Sequence, residues 1–281
     1  MTAKSVSRFA PSPTGRLHLG HAFSAVRAHD LARASGGRFL LRIEDIDQTR
    51  SRPEHVDGIF EDLRWLGLNW DGDVLFQSQR QAIYAAALQT LIDGGFAYRC
   101  WCTRADIASA MEAPQDGGPP VYPGTCKGRD GSDDTRPYSW RLDVRAACAA
   151  AGPLFWSDVR AGQVAADPAL LGDVVIARKD AMAAYHLAVV VDDAGQGVTD
   201  VVRGGDLFES THIHRLLQHL LGFAVPNYHH HNLVCGADGT RLAKRKNAPT
   251  LQALRETGTD PAWLLAQLRS GALPDGFSFC P

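Results

Sequence analysis

Apolar and polar positions alternate along the first hundred residues in a way that predicts a strand, a helix and a second strand. Ser7–Ala10 reads as a short strand, broken by Pro11 and Pro13 and followed by Gly15. From Gly20, apolar positions at Phe23, Val26 and Leu31 follow a helical pattern that Gly36-Gly37 stops. Arg38–Ile43 is the next strand. Strand, glycine-containing turn, helix and strand make a βαβ unit, which implies a parallel sheet. Pro53–Leu66 and Gln79–Gly94 carry amphipathic helical patterns. The texture then changes between about Tyr98 and Asp167, and Ala113–Pro137 is rich in Gly, Pro and Asp, which predicts an irregular insertion. Regular patterning returns with Asp173–Ala177, Leu187–Val191 and Val198–Val202, whose β-branched runs predict buried strands. Helices are expected over Glu209–Leu221 and Asp260–Leu268. The economical architecture is an α/β nucleotide-binding fold split by an inserted subdomain. Its expected parts are residues 1–97 and 168–240 for the two halves, 98–167 for the insertion, and 241–281 for a loop and a short helical C-terminal segment.

Composition narrows the class. The 281 residues are 45% hydrophobic and 21% charged, ordinary values for a globular chain long enough to bury a core. Met1–Val6 lacks the apolar run of a secretory leader, and the most apolar stretch, Ala181–Val191, falls short of the ~20 residues a membrane span needs. A soluble, cytoplasmic protein with no membrane partner is expected, and a monomer. The net charge of −2 does not advertise nucleic acid, so any RNA contact must come from local clusters, of which Arg241–Lys246 is the densest. Taken alone, that run reads more readily as a solvated loop than as an RNA contact. Six cysteines do not make a disulfide framework in a chain of this length. Cys148, Cys235 and Cys280 have no ligand-like neighbours, and His229-His230-His231 fits either metal ligands or a His-rich loop before a strand.

Two places carry chemistry. Between Pro11 and His21 the chain leaves a strand and opens a helix, where free backbone N–H groups and the helix dipole favour an anion. Gly20 lets a nucleotide approach the backbone with no Cβ in the way. His18 and His21 stand three apart in the first turn, so both rings can reach one phosphate and oppose charge that develops on it. The second place is Cys100-x-Cys102 with Cys126 further on. Three thiols in one irregular segment suit zinc, which cross-links a loop with too few apolar residues to hold itself.

His18-Leu19-Gly20-His21 resembles the HIGH signature of the class I aminoacyl-tRNA synthetases, and Arg8-Phe9-Ala10-Pro11-Ser12 before it resembles the glutamyl branch. Arg241-Leu242-Ala243-Lys244-Arg245 resembles the mobile KMSKS loop, with Arg241 in place of the first lysine and Ala243 in place of the serine. Tyr185–Asp206 is also similar to the glutamyl family, so the likeness covers nearly the whole chain. The resemblance implies a Rossmann-like doubly wound parallel sheet with a zinc-binding insertion. It implies that ATP, brought as its magnesium complex, contacts Pro11, His18, Gly20, His21, Arg241 and Lys244, with His18, His21 and Lys244 catalytic. L-Glutamate is implied at Arg8, Ala10, Ser12, Glu44, Tyr185 and Arg203. Glu44 takes the ammonium and the two arginines take carboxylates, which arginine's planar fork suits. Glutamine would leave one arginine partly unpaired. Tyr122 is implied as a fourth zinc ligand beside Cys100, Cys102 and Cys126.

The stretch after Lys244 is short, so no anticodon-binding domain is expected, and a compact body of this length has a radius of gyration of about 19 Å. This layout resembles the short members of the branch, which attach glutamate to queuosine in the anticodon loop of tRNA(Asp). Glutamylation of queuosine in tRNA(Asp) is therefore the expected activity. The alternatives are a compact glutamyl-tRNA synthetase charging a tRNA 3′ end, and a non-catalytic zinc-bearing RNA-binding module. A cysteine-type ligase or nucleotidylyltransferase of the same fold is a third, against which Arg8 and Arg203 argue because they suit a dicarboxylate.

Overall fold

The structure is a computed structural model that describes residues 4–103, 105–107, 121–131, 134–242 and 249–280. The first βαβ unit forms as its pattern predicts: β1 (Val6–Phe9), α1 (Leu19–Ala34) and β2 (Arg38–Ile43), with β1 and β2 parallel. α2 (Pro53–Trp65) opens on a proline at its first turn, where a missing N–H costs nothing. β3 (Leu75–Phe76) adds to β2 in parallel, and a 3-10 turn leads into α3 (Gln81–Asp93).

The second half supplies β9 (Asp200–Gly204) and β10 (Asn227–His231), again parallel, with α6 (Ser210–Leu220) between them. β9 lies against β1, where the Thr199 N–H donates to Val6 O at 2.9 Å and the Val6 N–H donates to Thr199 Oγ1 at 2.8 Å. The strands therefore run in the spatial series β3-β2-β1-β9-β10, the reversal at β1 being the place where such folds bind ligands. A hairpin of β6 (Phe155–Asp158) and β7 (Gly162–Ala165) extends the β10 edge. β4 (Ala97–Cys100), β5 (Ser139–Leu142) and β8 (Val175–Ala177) form a separate antiparallel sheet, with α4 (Val144–Ala151) after β5. Asp173 ties this sheet together, accepting from Tyr98 Oη at 2.8 Å, Lys127 Nζ at 3.2 Å and the Val144 N–H at 2.9 Å.

The structure corrects three expectations. Leu187–Val191 is not a strand but the middle of α5 (Tyr185–Gly195), a helix packed against α3 and α6. Leu187 to Asp193 are all buried, so no polar face interrupts the run, and periodicity cannot separate a strand from a helix buried all round. Second, His229-His230-His231 is itself part of strand β10, not a loop before one. His229 bonds Asp200 at 2.9 Å and His230 bonds Asp158 at 2.8 Å, so both rings have protein partners. Third, Cys235 and Cys280 form a disulfide. Cys235 lies on β11 (Val234–Gly236) and Cys280 directly follows β12 (Phe277–Phe279); the two strands pair antiparallel and the two Cα atoms are 5.2 Å apart. The C-terminal helices α7 (Leu251–Glu256) and α8 (Pro261–Ser270) pack on α2 and α1 respectively. Among the described residues no helix is long and apolar enough to cross a membrane.

Candidate active site

The carboxyl ends of β1, β2 and β9, the N-terminus of α1 and the start of α5 surround a cavity of about 430 Å³. Arg8, Ala10, Pro11, Ser12, His18, Gly20, His21, Glu44, Tyr185, Arg203 and Arg241 all line it. Residues from opposite ends of the chain thus meet at one point, as the reversal of strand order requires. Lys244 and Ala243 lie outside the described residues.

At the mouth of α1, His18 is the N-cap and its N–H donates to Nδ1 of His21 at 3.1 Å. The two rings stand 3.7 Å apart, centroid to centroid. A Cβ on Gly20 would fall 3.1 Å from Cε1 of His18, so only glycine leaves this corner open without moving the ring. Arg241 reaches the opposite rim and pairs with Asp206.

The floor is a buried charge network that the sequence reading missed. Arg42 is fully buried on β2, two residues before Glu44, which follows the end of the strand. Its Nη1 donates to Asp193 Oδ1 at 2.7 Å, and its Nη2 donates to Glu44 Oε1 at 3.3 Å. Arg8 Nε donates to the same Asp193 oxygen at 2.9 Å, and Arg8 Nη1 donates to Val202 O at 3.3 Å. Asp192, one residue earlier on α5, accepts from Gln77 Nε2 and Arg80 Nε, both at 2.7 Å, and from Tyr84 Oη at 2.8 Å. Burial disfavours the Arg42 charge, but Asp193, Glu44 and Asp192 more than restore it. Burial also pushes the Glu44 carboxyl up, against the pull of Arg42 and Arg8. Asp193 goes the other way: burial would raise it, and Arg8 and Arg42 hold it below the usual carboxylate range.

Arg203 is buried like Arg8 but has a different environment. It donates to His230 Nε2 at 3.1 Å, His214 Nδ1 at 3.2 Å, Leu207 O at 3.1 Å and Thr211 Oγ1 at 2.6 Å. All four acceptors are neutral atoms. The Tyr185 ring lies 5.6 Å from that of His214, and burial keeps its hydroxyl protonated.

Away from this cavity, the sulfurs of Cys100, Cys102 and Cys126 lie within 4.8 Å of one another. Tyr122 Oη stands 3.3 Å from Cys100 Sγ and 3.4 Å from Cys102 Sγ, and the Cys102 and Cys126 sulfurs are 3.5 Å apart. Tetrahedral zinc, at its usual bond lengths, sets ligand separations of about 3.5 Å for S···O and about 3.8 Å for S···S. The Tyr122–Cys100, Tyr122–Cys102 and Cys102–Cys126 separations are close to those of such a cage. Burial alone would raise the Cys126 thiol, but hydrogen bonds from the Trp101 backbone and with Tyr122 and Cys102 bring it down to about 7.

Residues 4–275 match the model of the family described as tRNA synthetases class I (E and Q), catalytic domain. The chain is 50% identical over 272 residues to the Glutamyl-Q tRNA(Asp) synthetase of Rhodobacter capsulatus, covering 92% of this chain and 97% of that one. It is 47% identical to the protein of the same name from Geobacter sulfurreducens, with coverage of 94% and 83%. Among solved structures, the glutamate-tRNA synthetase of Elizabethkingia anophelis superposes with a TM-score of 0.80 at 26% identity. That match takes in 95% of this chain and 61% of the synthetase. With a family match spanning nearly its whole length, and a fold shared with a solved glutamate enzyme, this chain belongs to the class I tRNA synthetases (E and Q).

Proposed function

We propose that the protein activates L-glutamate with ATP and transfers it to queuosine in the anticodon loop of tRNA(Asp). The observation that carries the reading is the charge layout of this cavity: an acid just after β2, two buried arginines on β1 and β9, and a histidine-flanked helix N-terminus beside them. Glutamate has one ammonium and two carboxylates: Glu44 faces the ammonium, Arg203 has no carboxylate partner among the described residues, and Arg8 reaches the second carboxylate with its charge shared with Asp193. The RNA substrate is supported by the names of the two bacterial relatives.

In the proposed reaction Glu44 accepts from the substrate ammonium, whose charge opposes the upward push of burial on its carboxyl. Arg8 and Arg203 hold carboxylates, Tyr185 lines the same pocket, and the backbone beside Ala10 and Ser12 completes the wall. The α-carboxylate attacks the α-phosphorus of ATP, a P–O bond forms as the bond to pyrophosphate breaks, and glutamyl-adenylate results. His18, His21 and the free N–H groups of α1 oppose the charge that grows on the phosphate, Gly20 admits it, and Arg241 and Lys244 hold the leaving phosphates with magnesium. A queuosine hydroxyl then attacks the acyl carbon, an ester forms, and AMP departs. No enzyme-bound covalent intermediate is needed; orientation and phosphate electrostatics supply the rate.

The test uses labelled glutamate, ATP and magnesium with two tRNA pools, one carrying queuosine and one lacking it. Label is expected only in the queuosine pool, and it should persist in tRNA whose 3′-terminal adenosine has been removed enzymatically. Label in both pools that is lost on removal of that adenosine would instead identify a compact enzyme that charges tRNA ends.

Zinc is the metal we propose for the Cys100, Cys102, Tyr122 and Cys126 cage, in a structural role. Burial and the three sulfurs push the Tyr122 hydroxyl up, and a bound divalent cation reverses that sign. The purified protein should contain about one zinc per chain, and Cys100→Ala should lose nearly all of it, because three donors cannot close a tetrahedral structural site. Metal analysis of both proteins decides the matter, and full retention by the variant would contradict the ligand set.

A further inference from the structure

The hydrogen bonds around Arg203 fix the protons on three histidines. A guanidinium can only donate, so the ring atoms that receive Arg203 must present lone pairs. His214 takes the Nη1 donor on Nδ1, which leaves its proton on Nε2. That Nε2 lies 3.2 Å from Nδ1 of His186, to which it donates, so His186 carries its own proton on Nε2. His230 takes the Arg203 Nε donor on its Nε2 and gives its Nδ1 proton to Asp158 at 2.8 Å. Asp158 also accepts the N–H groups of Arg160 and Ala161, each at 2.9 Å, and Asp193 is occupied by Arg8 and Arg42. Among the described residues no carboxylate lies within ion-pair reach of Arg203, although it is 5% exposed. A buried charge is ordinarily matched by the protein. Here the neighbouring carboxylates are turned to other partners, and neutral rings stand between.

We infer that His214 is a positioning residue for the selection of the amino acid: its Nδ1 lone pair fixes the Arg203 guanidinium while contributing no charge, which reserves that arginine for a carboxylate of the substrate. The inference rests on the proposed glutamate-activating function. It also explains why α6 places a histidine, not an acid, against a buried arginine. An aspartate there would hold the guanidinium equally well and cancel the attraction for glutamate. Burial first, then the Arg203 charge, drives the His214 ring well below the usual histidine range, so it stays neutral across the physiological interval. His186 and His230 are held at about 4 by the same two causes.

The experiment compares the unaltered protein with His214→Asp and His214→Asn in amino-acid-dependent ATP–pyrophosphate exchange. His214→Asp should raise KM for glutamate by about tenfold or more and leave kcat and KM for ATP within about threefold. The preference for glutamate over glutamine should fall by the same factor. His214→Asn, whose Oδ1 can replace Nδ1 as a neutral acceptor, should restore KM to within about threefold of the unaltered value. An unchanged glutamate KM in His214→Asp, an equal loss towards ATP and glutamate, or failure of the asparagine to restore binding would each overturn the inference. Should the aspartate variant not fold, nitrogen-15 spectra of the unaltered protein at neutral pH decide. They should show His214 as the Nε2–H form and His230 as the Nδ1–H form, and a charged or Nδ1–H His214 overturns the assignment. If the unaltered protein exchanges with no amino acid, the proposed function falls and this inference with it. Normal exchange with wild-type kinetics in His214→Asp removes this inference alone.

Discussion

His21→Ala is expected to slow glutamate-dependent ATP–pyrophosphate exchange by about 10²–10³-fold, the usual cost of losing one preorganised group that stabilises transition-state charge. The loss should fall on kcat, because the ring opposes charge that exists fully only in the transition state. The fold should survive. His21 accepts the His18 N–H, a helix-cap contact, and removing such a contact costs ~1 kcal/mol, small against the ~5–15 kcal/mol that holds a domain together. Exchange kinetics together with a melting curve separate the two effects. A variant that melts like the parent and exchanges at the parental rate would remove His21 from the phosphate site. A tightened or weakened KM with unchanged kcat would move the ring from the transition state to ground-state binding.

Arg42→Leu is expected to be the most destabilising single change in the cavity floor. Asp192 would keep Gln77, Arg80 and Tyr84, but Glu44 would lose its hydrogen bond from Arg42, and Asp193 would be left with Arg8 alone. Removing one partner of a buried ion pair costs ~3–5 kcal/mol, because the opposite charge stays buried without compensation. For a protein of this size each kcal/mol lowers the melting temperature by about 2–4 °C, so a fall on the order of 10 °C is expected. Arg42→Lys should recover part of it, keeping the charge but losing the fork that spans Asp193 and Glu44. Thermal melts of both variants read this directly. A shift below ~2 °C for Arg42→Leu would mean that water or rearrangement compensates the carboxylates, and the network would then be a weak determinant of stability.

How much of this could be read beforehand depends on the kind of signal. The first βαβ unit was legible because Gly36-Gly37 and the two prolines punctuate it, and β2 has the predicted bounds. The helix over Tyr185–Gly195 was not, since its apolar run is buried on every side and offers no period. Most cavity-lining residues could be named because a motif carries them. Arg42 left only a faint trace, its placement two residues before Glu44 on a strand. His214 left none: within Thr211-His212-Ile213-His214 nothing separates it from His212, which instead accepts the Asp167 N–H. The Cys235–Cys280 bridge was invisible for a similar reason, because it depends on the C-terminal strand returning to β11.

The seam between β1 and β9 has a kinetic consequence. Its hydrogen bonds join residues 193 apart, and Arg8 meets Asp193 across 185 positions. Such distant closures are slow to nucleate. A nascent chain emerging from the ribosome completes β1, α1 and β2 long before α5 and β9 exist. Until then Arg42 has no Asp193 to face, and the sheet edge that will receive β9 is open. The cavity is consequently assembled late, once the helix carrying the two aspartates has been synthesised.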